Sequence, residues 1–245
     1  MTIKSFLSLL FAKLVVLQNK KWKNNALKAQ KKIMLNLVGK AQNTLFGSEH
    51  SFEKIKTYAD FVNFVPIRDY EGLKPYIEQI IKGEKNILWP GKPIYFCKTS
   101  GTTSGEKYIP ISAEGMPNHI KAARDAMLSY IAETKKNSFV NGKMIFLQGS
   151  PELSKKGGIL TGRLSGIVAH HIPSYLKKNR LPSYKTNCIS DWEKKVDAIV
   201  DETISEKMSV ISGIPPWVQM YFEKLKKKSG QLIKDIFPHF ELFIY

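Results

Sequence analysis

A run of small and hydroxylated residues is the part of this sequence best suited to chemistry. It reads KTSGTTSGEKYIPIS, from Lys98 to Ser112, in a chain otherwise rich in bulky apolar residues and lysine. Glycine and small residues lose the most backbone freedom on folding, so ordering such a run is unfavourable unless it binds something. A loop of this kind after a strand presents backbone N–H groups unobstructed by side chains, which is how many proteins hold phosphate.

The candidate phosphate ligands in this run are small, hydroxylated or positively charged. They are Thr99, Ser100, Gly101, Thr102, Thr103, Ser104, Gly105 and Lys107. The hydroxyls add hydrogen-bond donors, and Lys107 adds a mobile positive charge. Three residues separate Gly101 from Gly105, and Tyr108 follows the lysine, so the run does not fit the phosphate loop of the common NTPases. That excludes the simplest kinase or GTPase interpretation and leaves a plain turn between two strands as the alternative.

Alternating strands and helices must position this loop. IYFCKT and YIPI predict strands on either side of it, and Ser112 is predicted to cap a helix that runs to about Lys136. KMIFLQ, MSVIS and FELFIY predict further strands. Between them lie two predicted helices, one opened by a capping box of Ser190 and Glu193 and one ended by Gly230. Apolar strands separated by amphipathic helices predict an α/β fold with a largely parallel or mixed sheet flanked by helices.

The first ninety residues predict helices. Thr57 and Asp60 form a capping-box pattern, and Pro75 to Lys82 predicts a helix that Gly83 ends. The N-terminal apolar stretch is shorter than the roughly 20 residues that span a bilayer, and Lys13 interrupts it, so no transmembrane segment is expected. Its apolar residues recur at helical spacing and predict a helix docked on the domain through them: Ile3, Leu7, Leu10, Leu14 and Leu17.

The organisation of the chain follows from these patterns. We expect residues 1–90 to form a mainly helical segment and residues 91–245 to form an α/β portion that carries the loop. No repeat or low-complexity linker divides them, so residues 1–245 are expected to form a single domain. The sequence stops at Tyr245 within a predicted strand, which predicts an incomplete N-terminal part of a larger protein.

Charge and cysteine content narrow the class of protein. The formal net charge is +17, from 38 Lys and Arg against 21 Asp and Glu, which suits a polyanionic partner. Only four of the 38 are arginine, and this weakens a nucleic-acid interpretation because base and phosphate recognition favours the planar guanidinium. A solvated lysine-rich surface is the simpler explanation. The two cysteines, Cys97 and Cys188, are too few for a disulfide framework and favour a reducing, cytoplasmic location.

The loop also carries a resemblance to a known family. TSGTTSGEK, Thr99 to Lys107, resembles the phosphate loop of the acyl-adenylate-forming enzymes, with Glu106 where many members have proline. Four more segments are similar to the auxin-responsive acyl-acid amido synthetases (the Gretchen Hagen family), in particular their bacterial branch. They are TLFG, FVPIRDYEGLKPYI, GSPELSKKGGILTGRLSGIVAHH and ISGIPPW. The resemblance covers nearly the whole chain and implies the N-terminal part of the acyl-adenylate-forming fold.

The resemblance implies a ligase that uses ATP and Mg²⁺. A carboxylate attacks the α-phosphate, pyrophosphate leaves, and an amine or thiol captures the acyl-adenylate. The loop would hold the leaving phosphates, with Lys107 neutralising charge in the in-line transition state. The catalytic lysine and the acidic Mg²⁺ ligand of the superfamily belong to later motifs expected beyond Tyr245. No catalytic residue is therefore assigned within the chain.

Weaker candidates and two rival functions remain open. Arg124 and Trp217 are candidates for the acyl pocket, although a lone helical arginine is more often a surface charge and such a tryptophan more often core. His170 and His171 lack a metal-ligand pattern, so no metal site is assigned. The rivals are a basic module that binds nucleic acid or an anionic surface, and a catalytically inert nucleotide-binding remnant. Binding that weakens steeply as the salt concentration rises would indicate the basic module.

Overall fold

The computed structural model describes residues 2–99 and 105–245, which form helices and two β-sheets. The α-helices of these residues are α1 (Ile3–Lys23), α2 (Ala26–Ala41), α3 (Leu45–Glu49), α4 (Tyr58–Phe64), α5 (Tyr70–Ile81), α6 (Met116–Thr134), α7 (Leu164–His170), α8 (Ser174–Lys177), α9 (Tyr184–Asn187), α10 (Trp192–Thr203), α11 (Pro215–Ser229) and α12 (Ile233–Ile236). The strands are β1 (Tyr95–Thr99), β2 (Lys107–Ile111), β3 (Lys143–Phe146), β4 (Ser154–Lys156), β5 (Ile159–Gly162), β6 (Arg180–Leu181), β7 (Met208–Ser212) and β8 (Leu242–Ile244). Short 3₁₀ helices lie at Phe52–Lys54 and Ser138–Asn141.

The chain separates into two compact units, each assembled from stretches that are distant in sequence. The parallel-sheet unit contains Met1–Val16, Ile120–Glu152 and Ser165–Tyr245. The mixed-sheet unit contains Leu17–His119 and Leu153–Leu164. The expected single domain, with a helical part over residues 1–90, stays a prediction.

The sheet of the parallel-sheet unit has the strand order β6-β3-β7-β8, and each neighbouring pair is parallel. Its strand β7 is buried on both faces. Ile211 packs in a cluster with residues of α10 and α11, whereas its neighbour Val210 packs in a cluster with residues of α1 and α6. Helices cover both faces of this strand. Neighbouring residues of MSVIS can therefore both be apolar, and apolar and polar residues need not alternate.

The sheet of the mixed-sheet unit has the strand order β2-β1-β5-β4. Strands β1 and β2 are antiparallel, because the short loop between them cannot make the crossover that a parallel pair needs. Strand β5 pairs with β1 in parallel and with β4 in an antiparallel hairpin. Phe96 of β1 is fully buried against Ile77 and Ile80 of α5. The predicted mixture of parallel and antiparallel pairing is therefore present.

The part of helix α1 that belongs to the parallel-sheet unit docks on it through a different face from the predicted one. The predicted apolar stripe is exposed, from 44% at Leu10 to 81% at Ile3. The buried residues of α1 are Ser5, Ala12 and Val15, and the last two pack against residues of α6 and Phe139. The small side chains let the helix approach closely, which apolar periodicity alone does not reveal. No described helix is both long enough and apolar enough to cross a membrane.

Two of the predicted helix ends are confirmed. Thr57 and Asp60 form a capping box at α4, in which the backbone N–H groups of Lys56 and Thr57 donate to the Asp60 carboxylate and lower its pKa. Helix α11 has proline in its first turn and ends at Gly230, whose φ of 71° lies in the left-handed region that favours glycine.

Three predicted helix starts are wrong. Helix α5 begins at Tyr70 rather than at Pro75, because the Asp69 side chain accepts the N–H of Gly72 and caps it. Helix α10 is capped by Asp191, whose carboxylate accepts the N–H of Lys194, and not by the Ser190 and Glu193 box. Ser112 accepts the N–H of Gly115 in a turn, and α6 begins only after that turn. In the first two cases the helix begins where an aspartate carboxylate, of Asp69 or Asp191, caps it.

Candidate functional site

The predicted phosphate loop joins two paired strands of the mixed-sheet unit. Thr99, the last residue of β1, is the register partner of Lys107, the first residue of β2. The remaining loop candidates Ser100, Gly101, Thr102, Thr103 and Ser104 lie outside the described residues. Because both ends belong to the β-ladder, backbone hydrogen bonds fix the position from which the Lys107 side chain extends.

Gly105, which lies just before Lys107 and β2, has a backbone conformation that favours glycine. Its φ is 79°, in the region where a side chain is strained. Among the described residues, none has a heavy atom within 4 Å of a Cβ at this position, so conformation rather than crowding by them favours glycine. Thr99, across the loop base, is exposed.

An aromatic ring from α5 supports Lys107. The Lys107 Nζ atom lies 5.4 Å from the centre of the Tyr70 ring, within the range of a cation–π contact. The Tyr70 hydroxyl in turn accepts the backbone N–H of Tyr108 at 2.9 Å. Asp69, which caps α5, thus positions Tyr70. The Tyr70 ring contacts the Lys107 ammonium group, and its hydroxyl contacts the Tyr108 backbone.

Glu106 is held by two partners on the strands. The Lys98 Nζ atom lies 3.2 Å from Glu106 Oε1, and the Tyr108 hydroxyl donates to Glu106 Oε2 at 2.6 Å. The Tyr108 hydrogen bond first, and the Lys98 ammonium second, lower the pKa of the Glu106 carboxyl. The same hydrogen bond and burial raise the pKa of Tyr108.

This arrangement leaves Lys107 without a carboxylate partner at the loop base. Among residues 2–99 and 105–245, no carboxylate lies within 4.0 Å of its ammonium group. Glu106, the residue that departs from the family pattern, neutralises Lys98 instead. An incoming polyphosphate would therefore meet an ammonium group that has no internal counter-ion to displace.

Replacing Tyr108 by Phe tests the Glu106 contacts. We expect the pKa of Glu106 to rise toward its ordinary value of 4.5, because the largest cause of its lowering is lost while Lys98 remains. A carboxyl-detected NMR titration measures the change, and Tyr58→Phe, at an exposed tyrosine in the same unit, should leave the Glu106 pKa unmoved. An unchanged value in Tyr108→Phe would contradict the hydrogen bond. A lowered carboxyl pKa stabilises the fold above pH 4.5 and loses that contribution as pH falls through the folded pKa.

Several residues at the loop base are not among the sequence-predicted ligands. Lys98 and Tyr108 lie next to the predicted ligands along the chain. The predicted pairing of the two strands could have indicated them, since they are register partners. Tyr70 and Lys156 are distant in sequence, and Lys156 Nζ lies 5.4 Å from the Tyr108 ring centre. No local pattern could have found these two, since only the packing of α5 and β4 brings them here.

The acyl-pocket candidates have local partners within the parallel-sheet unit. The Arg124 guanidinium donates twice to Asp125 Oδ1, at 2.9 and 2.7 Å, and its Cζ lies 5.6 Å from the Phe11 ring centre. Trp217 packs against Trp192, with ring centroids 4.2 Å apart, beside the core cluster. Their proposed contact with an acyl acid stays a prediction.

Comparison with known proteins gives the family. The family model described as the GH3 family N-terminal domain matches residues 18–236. The chain belongs to the GH3 family. Jasmonoyl-L-amino acid synthetase JAR6 of Nicotiana attenuata is 32% identical over 105 residues, which is 42% of this chain and 18% of that protein. Indole-3-acetic acid-amido synthetase GH3.5 of Arabidopsis thaliana is 27% identical over 143 residues, 56% of this chain and 22% of that protein.

A solved GH3 structure has the same fold. The AtGH3.15 acyl acid amido synthetase in complex with 2,4-DB aligns with a TM-score of 0.71 at 16% identity. The alignment covers 92% of this chain and 42% of that one, so the chain spans less than half the length of this GH3 relative. The predicted α/β fold of an acyl-acid amido synthetase N-terminal part is thereby confirmed.

Proposed function

We propose that this GH3 chain is the N-terminal portion of an ATP-dependent ligase that activates a carboxylic acid as its adenylate and transfers it to an amine. The un-neutralised Lys107 at the base of a glycine- and hydroxyl-rich hairpin carries the proposal. Family membership supports it, as do the amido synthetase names of the relatives. Those names favour an amine over a thiol as the acceptor.

The donor set at the loop base fits a polyphosphate. Glu106 is the one acidic residue between Thr99 and Lys107, and each of its oxygens has a partner. The described part of the site therefore offers an ammonium group rather than a free carboxylate for a metal. ATP bound here supplies an α-phosphorus that a substrate carboxylate can attack, with Mg²⁺ accompanying the phosphates.

The role of each described residue follows from its contacts. Lys107 would pair with phosphate oxygens and counter the charge that develops on the leaving pyrophosphate. Tyr70 holds Lys107 in place through its ring and fixes the β2 backbone through its hydroxyl. Glu106 neutralises the Lys98 charge and leaves the Lys107 ammonium group unpaired.

Calorimetric titration of the 245-residue chain with ATP and Mg²⁺ tests this function. We expect a single site from which added pyrophosphate displaces ATP, because both ligands present the phosphates that the loop holds. Binding that collapses between about 50 and 200 mM salt would instead support the basic-module alternative. Absence of nucleotide binding would overturn the proposal. Acyl transfer to an amine is proposed for the complete enzyme, with indole-3-acetic acid and an amino acid as first substrates to assay.

A further inference from the structure

A cavity lies in the parallel-sheet unit, at the carboxyl ends of strands β3 and β6. Its volume is about 300 Å³. Gln148 follows the end of β3 by two residues, and Pro182 directly follows β6. In open sheets of parallel strands, the carboxyl edge is where ligands usually bind. Among the residues that the structure describes, Thr99, Gly105, Lys107, Arg124 and Trp217 do not line this cavity.

Unpaired buried polar atoms are concentrated around this cavity. Five buried side-chain atoms of the described residues lack a hydrogen-bond partner, and three of them belong to lining residues: Gln148 Nε2, Arg180 Nε and Asn187 Oδ1. Asn187 is only 4% exposed. Buried polar groups are paired in the great majority of cases. Gln148 Nε2 and Arg180 Nε are donors and suit an acceptor ligand, whereas Asn187 Oδ1 is an acceptor and does not.

The charge of the lining is positive. The Arg180 guanidinium lies 4.8 Å from the centre of the Phe146 ring, and no described carboxylate comes within 4.0 Å of it. Lys177 adds a second cation to the lining. A part-buried cation without a counter-ion is unfavourable, and a bound anion would offset its desolvation. Burial accordingly lowers the pKa of Arg180, which nevertheless stays charged.

The nearest acidic residues contact the lining without belonging to it. Glu202 Oε1 accepts the backbone N–H of Ser183 at 2.6 Å, and its Oε2 is another of the five unpaired atoms. Glu152, which is exposed, interacts electrostatically with Tyr184. Neither carboxylate reaches Arg180, so neither replaces an external anion there.

A buried lysine fixes two walls of the cavity. Lys195 is 2% exposed, and its Nζ donates to the backbone carbonyls of Gln148 at 3.0 Å and Asn187 at 2.6 Å. On the opposite side, His170 Nε2 lies 2.8 Å from the carbonyl oxygen of Pro151, which requires that nitrogen to carry a proton and donate. The unpaired amides are therefore held in position and not merely exposed by a loose loop.

We propose that this cavity binds a small organic oxyanion, with Arg180 as its counter-ion and the Gln148 Nε2 amide group as a hydrogen-bond donor. Carboxylate and phosphate share this chemistry, since a guanidinium binds either through two parallel N–H groups. The inference does not depend on the function proposed for the phosphate loop.

Calorimetric titrations with sodium benzoate and with sodium phosphate, at constant ionic strength, test this site in the 245-residue chain. We expect one of the two anions to bind, and Arg180→Gln to weaken that binding by about tenfold or more, because a charge-assisted hydrogen bond is lost. Lys177→Gln should weaken it by less. Lys178→Gln is the matched control, since Lys178 adjoins Lys177 but does not line the cavity, and it should leave the affinity unchanged.

The outcomes separate the possible ligands. Tighter benzoate binding assigns a carboxylate ligand, and tighter phosphate binding assigns a phosphorylated one. Circular dichroism checks that Arg180→Gln folds, and Lys177→Gln on the exposed helix α8 serves as the second test of the same site. The proposal is overturned when neither anion binds the wild-type chain, or when Lys178→Gln weakens binding as much as the two lining variants do.

Discussion

Replacing Lys107 by Ala is expected to weaken ATP binding by about tenfold to a hundredfold. A charge-assisted hydrogen bond to phosphate is worth about 1.5–3 kcal/mol, and in the described residues no carboxylate lies within 4.0 Å of Lys107. In the complete enzyme, the same change should lower acyl-acid-dependent pyrophosphate exchange by about a hundredfold or more, because the transition state carries more charge on the leaving phosphates.

Controls separate this effect from loss of structure. Lys92→Ala removes an exposed lysine of the same unit that is not part of the loop, and it should leave ATP affinity within about twofold. Loss of the Tyr70 contact should lower the free energy of unfolding by about 1 kcal/mol at most, which urea denaturation measures. Wild-type ATP affinity in Lys107→Ala would remove the loop from the proposed mechanism.

Replacing Gly157 by Ala is expected to lower the free energy of unfolding by about 2–6 kcal/mol. Gly157 and Gly158 form the two-residue turn of the β4–β5 hairpin, and both have positive φ, at 57° and 78°. A Cβ on Gly157 would overlap the backbone carbonyl of Ile81 at the end of α5. Backbone strain of about 1–3 kcal/mol and overpacking of about 1–3 kcal/mol therefore add together.

Gly158→Ala is the matched control for this prediction. It introduces the same methyl group at a similar φ, but its Cβ would meet no heavy atom within 4 Å. We expect Gly158→Ala to lose about 1–2 kcal/mol from backbone strain alone, as measured by urea unfolding followed by circular dichroism. Equal losses in the two variants would show that the hairpin moves away from Ile81 without resistance. That result would contradict a fixed packing of α5 on the strands that support β1.

Some elements follow from short stretches of sequence because their causes are local. The Thr57 and Asp60 capping box, the proline start of α11 and its Gly230 end each depend on residues within one turn. The starts of α5 and α10 were mispredicted for a related reason. Asp69 and Asp191 offer carboxylate caps that compete with the proline and serine patterns nearby, and local patterns do not rank such competitors.

The sequence by itself determined the α/β class and the position of the loop between two paired strands, since the strand pattern carries that information. Lys107 as a phosphate ligand stays a prediction. Only the tertiary structure decided which charges stay free. Glu106 neutralises Lys98 rather than Lys107, and Tyr70 comes to the loop from α5. The Arg180 cavity likewise depends on where β3, β6 and α9 meet. Coulomb and hydrogen-bond energies fall off over a few ångströms, so they depend on distances between remote segments that sequence spacing does not specify.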